Sequence, residues 1–143
     1  MTLQWTHTTN GVDWEELSQL YRIAPLGDKK PEDLKIVFRN SRFTCFVSEA
    51  GRLVGAGRVL SDGLDCAYLC DVAVLPSHQG RGIGKAILTD LIERCRGHRK
   101  IILYAVPGKE PFYRKFGFRR MTTAMAIFES ESRARELGVI DDT

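Results

Sequence analysis

Residues 79–86, QGRGIGKA, follow the apolar run of residues 68–76, YLCDVAVLP, after only Ser77 and His78, and their reading decides the rest of the chain. Three glycines in five positions open a helix poorly by propensity. Yet Ile83, Ile87, Leu88, Leu91 and Ile92 then recur on one helical stripe, with Gly97 as a stop. The first backbone N–H groups of a helix have no partner inside it and carry the positive end of its dipole. Glycine removes the side chains that would hold an anion away from them, and Arg81 and Lys85 add charge beside the same spot. The physical reading is a diphosphate docked at the mouth of this helix. The plain alternative is a glycine-rich turn that only reverses the strand. Spacing removes two other phosphate motifs: a P-loop needs Ser or Thr where Ala86 stands, and a dinucleotide fingerprint needs glycine where Lys85 stands.

Around this stretch the chain alternates in a readable way. LQWTHT alternates apolar and polar residues as a half-buried first strand would. Asp13 followed by Glu16 resembles a capping box, and Trp14, Leu17, Leu20 and Tyr21 continue at helical spacing. Pro31 opens a second helix reaching Arg39, with Leu34, Val37 and Phe38 on one face. Residues 42–63 read as two strands joined by a turn at Ala50-Gly51 and closed by one at Asp62-Gly63. CAYLCDVAVL is apolar almost throughout, so a central strand covered on both faces is expected. KIILYAVP reads as a further buried strand, residues 111–116 as a short helix ending at Gly117, MTTAMAIFE as a final strand, and SRARELGVIDD as a polar tail. The order β-α-α-β-β-β-α-β-α-β predicts an α/β (α+β) protein, a mixed sheet flanked by helices.

The chain has 143 residues with no linker, repeat or low-complexity segment, so one domain over residues 1–143 is expected. Its net charge of +3 is too mild for a nucleic-acid groove, although cations cluster between Arg81 and Arg120. No apolar run approaches the roughly 20 residues that span a bilayer, and the N-terminus lacks a signal-peptide layout, so cytoplasmic residence without membrane association is the expectation. Cys45, Cys66, Cys70 and Cys95 show no CxxC spacing, and only three histidines accompany them. Neither a disulfide framework nor a metal site is expected, and Cys66 and Cys70 read as buried free thiols.

Gln79, Gly82 and Gly84 form Q-x-x-G-x-G after a strand ending VAVLP, and Phe112-Tyr113-Arg114-Lys115-Phe116-Gly117-Phe118 follows at a matching distance. Together these resemble the GNAT superfamily of acetyl-CoA-dependent N-acetyltransferases, over residues 3–128. YLCDVAVLPSHQGRGIG and PFYRKFGF look similar to an arylalkylamine-type subgroup, although Ala124-Met125 stands where that subgroup carries Gly-Met. The resemblance implies the GNAT acyltransferase fold, a mostly antiparallel sheet splayed between its two central strands, and an enzyme with acetyl-CoA as co-substrate. By position, the backbone of Gly80, Arg81, Gly82, Ile83, Gly84 and Lys85 would hold the coenzyme A diphosphate, with Gln79, Phe112 and Tyr113 in the same site. The pantetheine arm would add as a strand along Val72, Ala73 and Val74. An amide near Val72 or Ala73 would polarise the acetyl carbonyl.

Tyr113 would protonate the departing thiolate. Asp71 is a carboxylate in an otherwise apolar strand, where an unpaired charge is costly. It would deprotonate the attacking amine through water or bind it as a cation, unless it only bonds neighbouring amides. Tyr68 and a solvent-facing His78 are weaker candidates. Trp14, Tyr21, Phe38 and Met125 would wall the acceptor pocket or the core, and the loop APLGDKK would form a lid. The implied reaction is acetyl transfer from acetyl-CoA to a primary amine of a small molecule, by direct attack in a ternary complex. A protein or peptide acceptor and a non-catalytic acyl-CoA-binding module are the alternatives. Many such enzymes pair through sheet edges or the C-terminal strand, so a homodimer is open to test.

Overall fold

Strand pairing organises the first part of the chain. Leu3–Thr6 (β1), Phe43–Glu49 (β2), Arg52–Ser61 (β3), Cys66–Val74 (β4) and Lys100–Ile102 (β5) form one sheet in the order β1-β2-β3-β4-β5. Every pairing is antiparallel except β4 with β5, which is parallel. The helices are Trp14–Ile23 (α1), Pro31–Arg39 (α2), Ile83–Arg94 (α3), Glu110–Arg114 (α4) and Glu131–Glu136 (α5). This computed structural model describes residues 2–143, which fall into two compact units, the first ending at Leu103 and the second Tyr104–Thr143.

In the first unit the local chemistry places each element. Asp13 caps α1, its Oδ1 accepting from the amides of Glu15 and Glu16, each at 3.1 Å. Glu16 does not complete a capping box; its carboxylate accepts instead from the Leu53 amide at 3.0 Å and ties α1 to β3. Ala50 and Gly51, both at positive φ, make the tight β2–β3 turn. Helix α3 lies close on one face of the sheet. A Cβ at Gly55 would stand 2.8 Å from Ile87 Cδ1, and one at Gly57 2.9 Å from Leu91 Cδ1. Strand alternation puts Arg58 on the opposite face, where its guanidinium lies over Phe38. There Phe38 meets Trp14, Tyr21 and Phe46 at ring separations of 5.3–6.4 Å. Tyr21 and Phe38 are fully buried and belong to this core.

In three places the structure departs from the expected layout. β5 is only three residues long, and Tyr104 and Val106, expected inside a buried strand, are exposed. MTTAMAIFE forms no strand: among the described residues no strand pairs with it, and Met125 and Ile127 stand fully exposed instead of packing on a face. The expected polar tail contains α5, capped by Ser130 accepting from the Arg133 amide at 3.2 Å and laced by Arg135–Glu131 and Arg133–Glu136 pairs. All four cysteines are free thiols. Cys45 and Cys95 are buried, whereas Cys66 and Cys70, expected inside, are half-buried.

Candidate active site

Strand β4 leads into the glycine-rich stretch through a short 3-10 turn at Pro76–His78. Gly80 and Gly82 then adopt φ of 81° and 80°, a left-handed conformation that β-carbons disfavour. Gly82 caps α3 without any side-chain hydrogen bond, and the first closed helical bond runs from the Ala86 amide to the Gly82 carbonyl at 2.9 Å. Among the described residues, the amides of 80–85 donate to no protein acceptor. Among the described residues, a β-carbon on Gly80 or Gly82 would meet nothing within 4 Å, so glycine keeps this surface bare. Free donors, the positive end of a helix and missing side chains together suit a phosphate group. The loop is tethered at its entry, where Gln79 Nε2 donates to the Val74 carbonyl at 3.2 Å.

The neighbouring part of β4 is irregular in a specific way. Gly55 and Ala56 pair with Val74 and Ala73, but Arg58 pairs with Cys70, so Asp71 and Val72 together oppose Gly57. This is a β-bulge, and Asp71 at its centre takes a φ of +55°. Tyr21, whose burial and proximity to Asp71 raise its pKa well above the ordinary phenol value, donates its hydroxyl to the Asp71 carbonyl at 2.6 Å. The Asp71 carboxylate accepts from Arg58 Nε at 2.8 Å, while Lys29 Nζ stands 3.6 Å from its other oxygen. The misfit carboxylate is therefore paired with two cations. Among the described residues, parallel pairing with β5 covers only Cys66, Ala67 and Tyr68, and from residue 69 to 74 β4 is paired with β3 alone. Within the first unit that leaves a local strand edge ending at the glycine-rich loop.

Residues 10–118 match the sequence model of the Acetyltransferase (GNAT) family. The chain belongs to this family of acetyltransferases. It is 32% identical over 135 residues to a rice protein named serotonin N-acetyltransferase 2, covering 88% of this chain and 68% of that one. It is 39% identical over 85 residues to a Trypanosoma brucei brucei protein named glucosamine 6-phosphate N-acetyltransferase, covering 54% of this chain and 58% of that one. Among solved structures, a Staphylococcus aureus protein of unknown function, titled "Probable Acetyltransferase", superposes with a TM-score of 0.81 at 25% identity, covering 90% of this chain and 99% of that one. The fold is thus the GNAT fold, whose members generally use acetyl-CoA as co-substrate.

Within this GNAT chain the first unit brings together Asp71, Val72, Ala73, Val74 and residues 79–85 along one strand and the loop that follows it. Phe112 and Tyr113 lie in the second unit, on α4, in an aromatic cluster with ring separations of 5.2 Å between them and 6.2 Å from Tyr113 to Phe118. Burial raises the Tyr113 pKa, so the phenol keeps its proton at neutral pH. His78 is not solvent-facing: its side chain is 13% exposed and its Nε2 lies 3.3 Å from Glu49. Arg81, expected to add charge for the ligand, turns its guanidinium onto the same Glu49. Met125 stands almost fully exposed on the second unit. His7, Cys45 and Asp90 do bring three metal-ligand types within 4.8 Å of one another. Their contacts are already closed, with His7 Nε2 and Arg94 Nε both on Asp90 Oδ2. Sequence reasoning missed Tyr21 as the bulge clamp, together with Arg58, Lys29 and Glu49. A lone charge inside a strand was the one available signal, and it was used only for Asp71.

Proposed function

We propose that this acetyltransferase moves the acetyl group of acetyl-CoA to a primary amine of a small molecule, by direct attack in a ternary complex. The observation that carries the reading is the run of six unbonded amides at 80–85, standing where β4 loses its second strand partner. The amides and the dipole of α3 hold the diphosphate, and the free edge of Val72, Ala73 and Val74 takes the pantetheine amides as an added strand. An amide at Val72 or Ala73 faces the charge that develops on the acetyl oxygen. The relatives named for serotonin and for glucosamine 6-phosphate both name a small amine, which supports that acceptor class.

The proton steps are assigned to Asp71 in the first unit and, as the family resemblance implies, to Tyr113 in the second. The amine arrives as an ammonium and must shed a proton before its nitrogen can attack. Asp71 accepts that proton through water at Oδ1, the oxygen that Lys29 meets only at 3.6 Å, while Oδ2 stays with Arg58. As the C–N bond forms and the C–S bond breaks, Tyr113 donates its phenolic proton to the leaving thiolate and regains one from solvent. A thiol-release assay with acetyl-CoA across arylalkylamines, amino-sugar phosphates, polyamines, aminoglycosides and short peptides tests the reading. Turnover with at least one small amine and none with peptides is expected. Release only with peptides, or with no amine at all, would overturn the proposed acceptor class.

A further inference from the structure

The loop at 79–85 presents a structural problem that its own backbone does not solve. Amides reserved for a ligand cannot also hold the loop in shape, and two of its glycines add conformational freedom. Backbone bonds stop at the 3-10 turn, with His78 donating to Leu75 at 2.9 Å and Gln79 to Pro76 at 3.3 Å, and resume only at Ala86. Between them one side-chain fork anchors the chain. Arg81, set between Gly80 and Gly82, places Nη1 3.1 Å from Glu49 Oε1 and Nη2 2.6 Å from Oε2. Glu49 is the last residue of β2, is only 7% exposed, and also receives His78 Nε2 at 3.3 Å. The other ring nitrogen of His78 lies 2.8 Å from Ser77 Oγ. One buried carboxylate therefore grips the loop at two points, one before the glycines and one between them.

We propose that Glu49 is a positioning residue for coenzyme binding: it holds Arg81 and His78 so that the amides of 80–85 stand preformed for the diphosphate. Arg81 then acts inward on the protein and not on the ligand. A bidentate guanidinium–carboxylate pair fixes both distance and plane, which a single contact would not do. Preforming a loop strengthens binding by removing the ordering cost that each binding event would otherwise carry. The inference rests on the coenzyme reading above.

The sign of one measurement separates the two roles of Arg81. In Glu49→Gln the fork loses its charge partner. If Glu49 positions the loop, coenzyme A titrated by calorimetry binds about tenfold more weakly. The KM for acetyl-CoA rises in step, and kcat at saturation and the KM for the amine stay within about twofold. If Arg81 instead serves the phosphates directly, freeing it leaves affinity unchanged or raises it, and the proposal is wrong. Arg81→Lys gives a second reading that does not remove the buried carboxylate. Lysine cannot make the fork, so coenzyme affinity falls as in Glu49→Gln, and the double variant falls no further than the singles. Additive losses would overturn the proposal. A parent protein that binds no coenzyme A would sink the coenzyme reading itself, an outcome distinct from either variant result.

Discussion

Gly82 offers a clean separation of backbone strain from ligand contact, because the chain contains a matched control. Gly82 and Gly51 have φ of 80° and 78°, and at both an added Cβ would meet nothing within 4 Å. Alanine at either site therefore introduces left-handed strain of about 1–2 kcal/mol and no clash. An unfolding entropy of about 2.1 cal/mol/K per residue over 143 residues corresponds to roughly 0.3 kcal/mol per degree. Each variant should then melt about 3–7 °C below the parent, and the two should match. Only Gly82 lies at the proposed phosphate site. Its methyl group would push the diphosphate off the bare amides, and losing one or two charge-assisted bonds of about 1.5–3 kcal/mol each weakens coenzyme A at least tenfold. Differential scanning fluorimetry and calorimetry on Gly82→Ala and Gly51→Ala check both halves. Equal coenzyme affinities in the two variants would refute the docking argument, whatever happens to the melting points.

Other expected outcomes follow from single contacts. Tyr113→Phe should lower kcat about 100-fold while leaving coenzyme affinity within twofold, as steady-state kinetics and calorimetry would show; unchanged turnover removes Tyr113 as the acid. Tyr21→Phe should leave the buried Asp71 carbonyl without its donor, costing about 1–3 kcal/mol and roughly 3–10 °C in melting, and it should raise the KM for acetyl-CoA as the bulge relaxes. Glu49, held down to about 2 by Arg81 and then by His78, is a depressed carboxylate. Its contribution to stability is complete above its ordinary value near 4.5 and fades as pH falls toward about 2. The gap in denaturant midpoint between parent and Glu49→Gln should close over that window. A gap that persists at pH 2 would show that the carboxylate charge is not what stabilises the loop.

How far the sequence could be read depended on whether a feature was local. The Asp13 cap, the Ala50-Gly51 turn and the left-handed glycines before α3 are set by residues within a few positions of each other, and each stands where its pattern predicts. Asp71 was visible as a misfit, but its meaning was not: Arg58 and Lys29 come from β3 and from the α1–α2 loop, so no spacing rule links them to it. Glu49 was missed for the opposite reason. A glutamate at the end of a strand before a tight turn reads as an ordinary solvent-facing charge, and only the fold brings Arg81 back across 32 residues to cover it. MTTAMAIFE shows the limit of a short apolar run, since a strand needs a partner ladder as well as a composition. α5 was overlooked because its stabilising contacts are a cap and ion pairs, without an apolar stripe.

The glycine-rich loop and the β4 bulge meet the same requirement in related ways. A site that recognises its ligand through backbone groups must keep those groups unbonded, so its shape has to come from side chains set behind it. At the loop that support is a carboxylate gripping Arg81 and His78. At the bulge it is a buried phenol on the Asp71 carbonyl and two cations on its carboxylate, which together hold a non-glycine residue at a φ of +55°. Such a conformation costs on the order of 1–3 kcal/mol and persists only where its surroundings over-determine it. Three independent contacts on one residue meet that condition. Asp71 and Glu49 thus have a common structural part, each a carboxylate held by an arginine from a distant element. They differ in that Asp71 keeps one oxygen only loosely paired at 3.6 Å, whereas both oxygens of Glu49 are taken. That difference is why a proton-transfer role is assigned to Asp71 and a purely positional one to Glu49.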